Sequence, residues 1–565
     1  MAGKAEHGAR TSATGPPGPP SPSPGPPPGP GAEEPDALEQ ALEQLGAFGL
    51  YQRYSLFMLC LPGLLSAMYS LNYVFVADQV PFRCVVPECE GAGGAGFANE
   101  SALPLLAAAR CERFAPLRPG LASCDRDLFH PVDTVRCEHF IYENYDTIFA
   151  EFGLACREWM RTLVGTVRNS ALPFALILTG FVSDTYGRRT AFCIFSACAG
   201  VLGIVKALSV NYQMYVALEF FEAALGYGFN SAAYVMIVEL ARPSLRAAFA
   251  SATGVAYGLG GALFALVAWA VPNWRRLLLT IHAPALLLPL YWLLVHESPR
   301  WLHARQRRTE AAAIIKKAAR VNKVTVSEDV MKALLETETE KQKESLKTNA
   351  WLRLLRSRVL MLRFAACAWC WVAVAFVYYG LTINSVALAG DKHVNFALNM
   401  GMEVVASLLL MMALERFGRK WTIFLAFLLC GLACVIPFFI SHTVTIVALF
   451  FVGKLAITLA FNSMYVFTAE LFPTEARSSA LAACSLVGRL GSILAPQTPL
   501  LSAYVQALLY GACSLSAALV VLAAPETRRA ALPAGVRAAE RLAPPRAPPP
   551  PAPAAPSPRV LSADC

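Results

Sequence analysis

Charge is scarce in this chain. Asp, Glu, Lys and Arg make up 15% of its 565 residues, whereas a water-soluble domain draws about a quarter of its sequence from those four types to cover its surface. Histidine is scarcer still: eight residues are scattered along the chain, none at His-x-x-x-His or Cys/His spacing. Local motifs therefore supply no metal centre or hydrolytic constellation, no cofactor is expected, and the chain does not read as an enzyme. The run Gly254-Val-Ala-Tyr257-Gly258-Leu-Gly260-Gly261 lacks the strand context of a phosphate cradle and reads instead as a closely packing helix. The net charge of +9 is dispersed over short segments, so nucleic-acid binding is not implied. No cleavable leader is expected, because the first apolar run begins near Tyr54 and is long.

Apolar residues are abundant: 56% of the sequence, with a mean hydropathy of +0.47. Crossing about 30 Å of hydrocarbon takes about 20 apolar residues. Six such stretches lie near Tyr54–Val76, Trp159–Val182, Ala191–Val210, Tyr212–Val238, Leu245–Ala270 and Leu277–Val295. Six more lie near Val359–Ile383, Val394–Leu414, Trp421–Ile440, Val444–Phe467, Ser479–Leu494 and Leu501–Ala524. The expected fold class is all-α membrane protein, with twelve transmembrane helices in two pseudo-symmetric six-helix bundles and the lipid bilayer as solvent. Residues 1–50 read as a disordered Pro/Gly-rich tail and 51–295 as the first bundle, with a Cys-rich loop at 78–158. Residues 296–358 read as a linker with short helices, 359–529 as the second bundle, and 530–565 as a disordered Pro/Ala-rich tail.

The two halves carry the same marks. Asp184-x-x-Gly187-Arg188-Arg189 is echoed by Glu415-x-x-Gly418-Arg419-Lys420. Each glycine is followed 52 residues later by a glutamate, Glu239 and Glu470, and seven further on by an arginine, Arg246 and Arg477. Glu297-Ser-Pro-Arg300 is answered by Pro525-Glu526-Thr527-Arg528. A register held over this distance indicates a duplicated helical unit, the organisation of secondary transporters. Asp184, Arg188, Arg189, Glu239, Arg246, Glu297, Arg300, Glu415, Arg419, Glu470, Arg477 and Glu526 are expected gating residues. Paired charges near an aqueous face can hold a gate in one state and release it in another.

The basic segments after even-numbered spans share one side, which the positive-inside bias makes cytosolic. Both termini then lie in the cytosol, and Arg275 and Arg276 at the far end of span six are the exception. Six of the sixteen cysteines, Cys84, Cys89, Cys111, Cys124, Cys137 and Cys156, fall in the first loop on the opposite side. An even set there suggests disulfides, whose pairing stays open. The same loop holds Asn99-Glu-Ser101, a glycosylation acceptor.

Gly180-Phe-Val-Ser-Asp184-Thr-Tyr-Gly187-Arg188-Arg189, Glu297-Ser-Pro-Arg-Trp-Leu302, Glu470-Leu-Phe-Pro-Thr474 and Pro525-Glu-Thr527 resemble the major facilitator superfamily over about residues 51–529. The cysteine-rich first loop and Tyr378-Tyr379-Gly380 make the chain similar to the organic cation, anion and zwitterion transporters of solute carrier family 22. The resemblance implies alternating access around a central site, a small organic ion as partner, a plasma-membrane location, and a monomer or weak oligomer.

Charged residues inside spans are costly and survive mainly beside a cavity or a partner; here they are Arg168, Glu219, Glu222, Glu403, Lys454 and Arg489. Arg489, in Gly488-Arg489-Leu-Gly491, is the foremost substrate-binding candidate. Cation-preferring members of the resembled family carry an aspartate there, whereas anion and carnitine-type members carry arginine. Where anion carriers commonly present a lysine in span eight this chain has Ser407, with Glu403 one turn away; one cation and one acid suit a zwitterion. Glu222, four residues before Gly226, occupies the region where many superfamily members place an arginine tied to proton coupling, so a coupling ion is not assigned. Lys454 could neutralise an acid. Tyr378, Tyr379, Phe461 and Tyr465 match cavity-lining positions of the resembled family, where ring faces grip an ammonium or aromatic group, and Tyr257 is a further candidate. Trp369 and Trp371 read as packing or interface residues. Two functions remain: a carrier of small organic anions or carnitine-like zwitterions, or a receptor or scaffold of the same fold that binds an extracellular ligand through the disulfide loop.

Overall fold

The computed structural model describes residues 37–88 (residue 47 excepted), 111–118, 125–242, 245–336, 354–473, 476–528 and 535–541, together with 90, 97 and 533. Helices dominate. A short helix α1 (Ala37–Gln44) precedes the first span, α2 (Leu50–Leu71). The first half continues with α3 (Glu158–Tyr186), α4 (Arg188–Ala207), α5 (Tyr212–Gly226), α6 (Gly228–Leu240), α7 (Arg246–Ala270) and α8 (Trp274–His282). The chain of α8 runs on through a 3-10 segment, Ala283–Leu290, where Pro284 and Pro289 remove amide donors from an α-helical ladder.

Among the described residues the linker has three helices: α9 (Pro299–Ala304), α10 (Arg308–Asn322) and α11 (Glu328–Glu336). The second half is α12 (Arg358–Asn384), α13 (Lys392–Phe417), α14 (Arg419–Val435), α15 (Thr443–Leu471), α16 (Arg477–Leu494) and α17 (Ala503–Leu522), followed by the short α18 (Val536–Glu540). Among the described residues, eleven helices are long and apolar enough to cross a bilayer. The fourth crossing is the pair α5 and α6, interrupted at Tyr227 between Gly226 and Gly228, which brings the crossings to twelve. Both glycines allow close approach to α4. A Cβ on Gly226 would meet the Ala199 backbone at 3.1 Å, and one on Gly228 would meet the Phe195 ring at 2.6 Å.

Each half has its own apolar core, and glycines let the halves meet. A Cβ on Gly258 of α7 would lie 2.7 Å from Val404 Cγ2 and 3.0 Å from Met400 O of α13. Gly260 faces the other way, against the Leu64 backbone of α2. The glycine run thus packs helices together rather than cradling a phosphate.

On the face where α2 ends and α3 begins, called here the loop face, the described residues form two antiparallel two-stranded sheets. In one, β1 (Phe82–Cys84) pairs with β4 (Phe140–Tyr142); in the other, β2 (Glu112–Pro116) pairs with β3 (Phe129–Arg136). Disulfides join Cys84 to Cys137 and Cys111 to Cys156. Cys89, Cys124 and Asn99 lie outside the described residues. Arg275, exceptional by charge placement, is held by Glu151 and by the carbonyls of Ala207 at 2.7 Å and Ser209 at 2.8 Å.

Two expected tail boundaries need correction. Residues 37–44 are not structureless: Leu38, Ala41 and Leu42 of α1 are buried against Ile315 and Ala319 of α10 and Leu334 of α11. Glu39 is ion-paired with Arg300. The leucine and alanine spacing gives α1 an apolar stripe that the linker helices cover. At the other end α18 packs on α12, with Arg363 donating to Ala539 O and Ser357 to Glu540 Oε1 at 2.6 Å.

Candidate functional site

The duplicated marks fold into duplicated clusters on the linker face. Glu297 accepts from the amide of Arg188 at 3.0 Å and from that of Arg189 at 3.1 Å, at the N-terminus of α4. Glu526 does the same for Arg419 at 2.9 Å and Lys420 at 3.1 Å, at the N-terminus of α14. A carboxylate there satisfies orphan amides and opposes the helix dipole. Burial pushes the Glu297 carboxyl up from its ordinary range, while the amides of Ser298, Arg189 and Arg188 pull it back. The preceding glycines take positive-φ backbone, φ 103° at Gly187 and 86° at Gly418, and a Cβ on either would strike the capping glutamate. Arg188 pairs with Glu239 at 3.0 Å and Arg419 with Glu470 at 2.9 Å.

The copies differ in one arm. Asp184 pairs with Arg188 at 2.9 Å, whereas Glu415 is exposed and makes no ion pair among the described residues. Arg300 joins its cluster by donating to Glu239 O at 2.7 Å. Arg477 is half-buried, with Nε and Nη2 lacking hydrogen-bond partners among the described residues; the Arg246 side chain lies outside what the structure describes. The described ion pairs of these clusters close within each half. Hydrogen bonds between the halves are described on the loop face, and at mid-span between Arg489 and Tyr227. Thr162 Oγ1 of α3 donates to Gln497 Oε1 at 3.1 Å, Gln497 Nε2 to Thr166 at 2.7 Å, Thr166 to Ile493 O at 3.2 Å, and Lys392 to Asp78 at 2.6 Å.

At mid-span the predicted substrate residues fall into two groups. Glu403 of α13, Lys454 of α15 and Tyr378 of α12 form one. Lys454 Nζ is fully buried, 3.6 Å from Glu403 and 3.4 Å from the Tyr378 ring centroid, and donates to Thr382 at 2.9 Å. Tyr378 donates to Glu403 at 2.9 Å. Glu403 is thereby engaged by Lys454 and Tyr378.

Arg489 of α16 heads the second group. It lies beside Tyr227, Tyr379 and Tyr465, is 9% exposed, and has no carboxylate partner among the described residues. Tyr227 comes from the α5–α6 junction, whereas Tyr379 and Tyr465 belong to the second half. Tyr257 of α7 approaches Tyr379, Glu403 and Tyr227 from the first half. An aromatic wall connects the groups: Tyr378 and Phe461 are 5.2 Å apart, Phe461 and Tyr465 5.8 Å, and Tyr465 stands edge-on to Trp371 at 4.6 Å. Trp371 is buried and donates to Thr468 at 3.0 Å; Trp369 is exposed and donates to Ser516 at 3.2 Å.

Sequence reading missed two contributors. Tyr227 carries no charge, and only its place between two glycines marked it. Lys206 falls inside the third apolar span but is not among the charges singled out there from sequence; it is fully buried and pairs with Glu219 at 2.8 Å and Glu222 at 3.1 Å. Arg168 completes this tetrad, 2.7 Å from Glu219 and also paired with Glu222. Two cations thus balance two acids in the first half, and Lys454 balances Glu403 in the second. Ser407 faces Gly254, and its hydroxyl lacks a described hydrogen bond.

Residues 154–532 match the family model for sugar (and other) transporters. The organic cation transporter protein of Drosophila melanogaster is 29% identical, covering 88% of this chain and 93% of that one. Human solute carrier family 22 member 13 is 30% identical, covering 86% and 90%. Among solved structures, the proton:xylose symporter XylE, of the major facilitator superfamily, superimposes with a TM-score of 0.50 at 18% identity, covering 83% of this chain and 94% of that one. Matched along most of its length by family model and relatives alike, the chain belongs to the sugar (and other) transporter family of the major facilitator superfamily and, within it, to solute carrier family 22.

Proposed function

We propose that this protein carries small organic ions bearing a carboxylate, organic anions or carnitine-like zwitterions, across the membrane by alternating access. The observation that carries the reading is Arg489: the described charges at mid-span cancel locally except for this one guanidinium, set among tyrosines from both halves. A planar guanidinium binds carboxylate bidentately. The adjoining faces of Tyr378, Tyr379 and Phe461 can take an ammonium or apolar end of the same substrate. Tyr227 and Tyr257 from one half and Tyr379, Tyr465 and Arg489 from the other meet at the substrate, so rocking the halves would close one entrance while opening the other. With the basic linker face in the cytosol, both termini are cytosolic and the disulfide loop is extracellular, as for a plasma-membrane carrier that works as a monomer or weak oligomer. The hydrogen bonds between the halves then shut the outer side. A receptor reading gains no specific support from the loop.

The test is uptake of labelled carboxylates, zwitterions and cations into cells expressing the chain, with Arg489→Ala and Arg489→Lys beside the unaltered protein. Losing a charge-assisted contact of about 2–3 kcal/mol should lower carboxylate uptake efficiency about 30- to 150-fold. Lysine, which restores charge but not the fork, should recover part of it. Carboxylate uptake that survives Arg489→Ala at equal surface expression would refute the assignment.

A further inference from the structure

The second half contains a cavity of about 830 Å³ that the transport reading does not use. It is an open cleft on the loop face, bounded by the ends of α12 and α14 and the starts of α15 and α17, with Leu381, Phe438 and Phe450 in its walls. It reaches Gly453, ten residues into α15 from Thr443, or about 15 Å at the helical rise and about half the hydrocarbon thickness. Close-packed interiors leave few voids larger than a water molecule. A mostly apolar cleft of roughly 300–1,000 Å³ with a few convergent polar groups is the ordinary form of a ligand site.

Two features say what fits. Phe439 is 84% and Tyr504 72% exposed, so large aromatic side chains on the ends of membrane-spanning helices flank the site, as suits a ligand that partitions into lipid. No Asp, Glu, Lys or Arg lines the cavity, which leaves a phosphate headgroup without a counter-charge. The polar groups present are amides and a phenol. Asn384 Nδ2 donates to Gly380 O at 3.0 Å and Tyr510 Oη at 2.8 Å, and Gln506 Nε2 donates to Leu501 O at 2.7 Å. With those donors committed, Asn384 Oδ1 and Gln506 Oε1 remain as acceptors, neither used in a described hydrogen bond. The lining therefore suits a largely apolar body with a hydroxyl donor and no charge.

We propose that this cavity binds a membrane sterol. The site touches the gate. Asn384 and Ala387 also line the cleft of about 160 Å³ between the two halves, and Tyr510 donates to Thr498 at 2.6 Å, next to the Gln497 that ties the halves together. A sterol hydroxyl on Asn384 would brace the state in which the loop face is shut.

The experiment uses the full chain in phosphatidylcholine vesicles with a photoreactive cholesterol analogue that keeps its free hydroxyl, and maps the labelled peptides. Label is expected on residues 436–453 and 503–510. It should fall at least fivefold in Ala507→Phe, which fills the cavity, and about as far in Asn384→Leu, which removes the acceptor. On the unaltered protein, cholesterol should compete and its 3-ketone, which lacks the donor, should not; this arm stands even if neither variant folds. Label elsewhere, label indifferent to competitor, or equal labelling of these peptides by a photoreactive phospholipid would overturn the proposal. None of these readouts involves uptake, so failure here leaves the carrier reading intact, and failure of the carrier reading leaves this one testable.

Discussion

Removing one member of the Glu403–Lys454 pair should be far worse than removing both. Lys454 is fully buried, and the Glu403 side chain is 8% exposed. Breaking a buried ion pair from one side costs about 3–5 kcal/mol, because the remaining charge is stranded, whereas replacing both partners by neutral groups of similar shape is often close to neutral. In Glu403→Gln, Tyr378 keeps an acceptor, but Lys454 loses its counter-ion 3.6 Å away and retains only Thr382 and the Tyr378 ring. At 1.4 kcal/mol per decade, about 3–5 kcal/mol shifts the folded ratio roughly 150- to 4,000-fold, enough to remove most protein from the cell surface. Glu403→Gln combined with Lys454→Met should recover surface expression and thermal stability in detergent. The assay is surface biotinylation and fluorescence-monitored melting of the two singles and the double, read as a cycle, alongside carboxylate uptake. If the double is no better than the worse single, the pair is not a mutual neutraliser. A stable double without uptake would make the pair part of substrate recognition and overturn its structural assignment.

Other outcomes follow from the same geometry. Gly187→Ala and Gly418→Ala should each cost about 1–3 kcal/mol for a positive-φ, extended-ψ backbone that only glycine adopts readily, plus displacement of Glu297 or Glu526, and should lower uptake and expression to similar degrees; a large effect in one half with none in the other would contradict the structural duplication. Gln497→Ala removes two hydrogen bonds between the halves, from Thr162 and to Thr166, so accessibility of the loop-face cleft to a membrane-impermeant thiol reagent, read at a cysteine introduced at Ala387, should rise. Neutralising Glu219 alone should destabilise, and Glu219→Gln with Lys206→Met should restore much of the loss, measured by the same melting assay.

Spans, the two-fold repeat and the segments that carry charge were legible in the primary structure, since each is written in local composition: about 20 apolar residues make a crossing, and a charge inside one is conspicuous. The foremost candidate, Arg489, was visible for that reason. Partnership was not legible. That Glu403 is taken by Lys454, that Lys206 closes a tetrad from the end of its span, and that Tyr227 meets Arg489 are matters of which faces of separate helices are turned together, and hydropathy is blind to helix rotation. The charged motifs fixed where the linker-face clusters form, but only packing decided that each cluster closes within its own half and that hydrogen bonds on the opposite face join the two. Spacing along one chain encodes what lies within a helix turn, whereas contacts between residues hundreds of positions apart arise only when the bundles assemble.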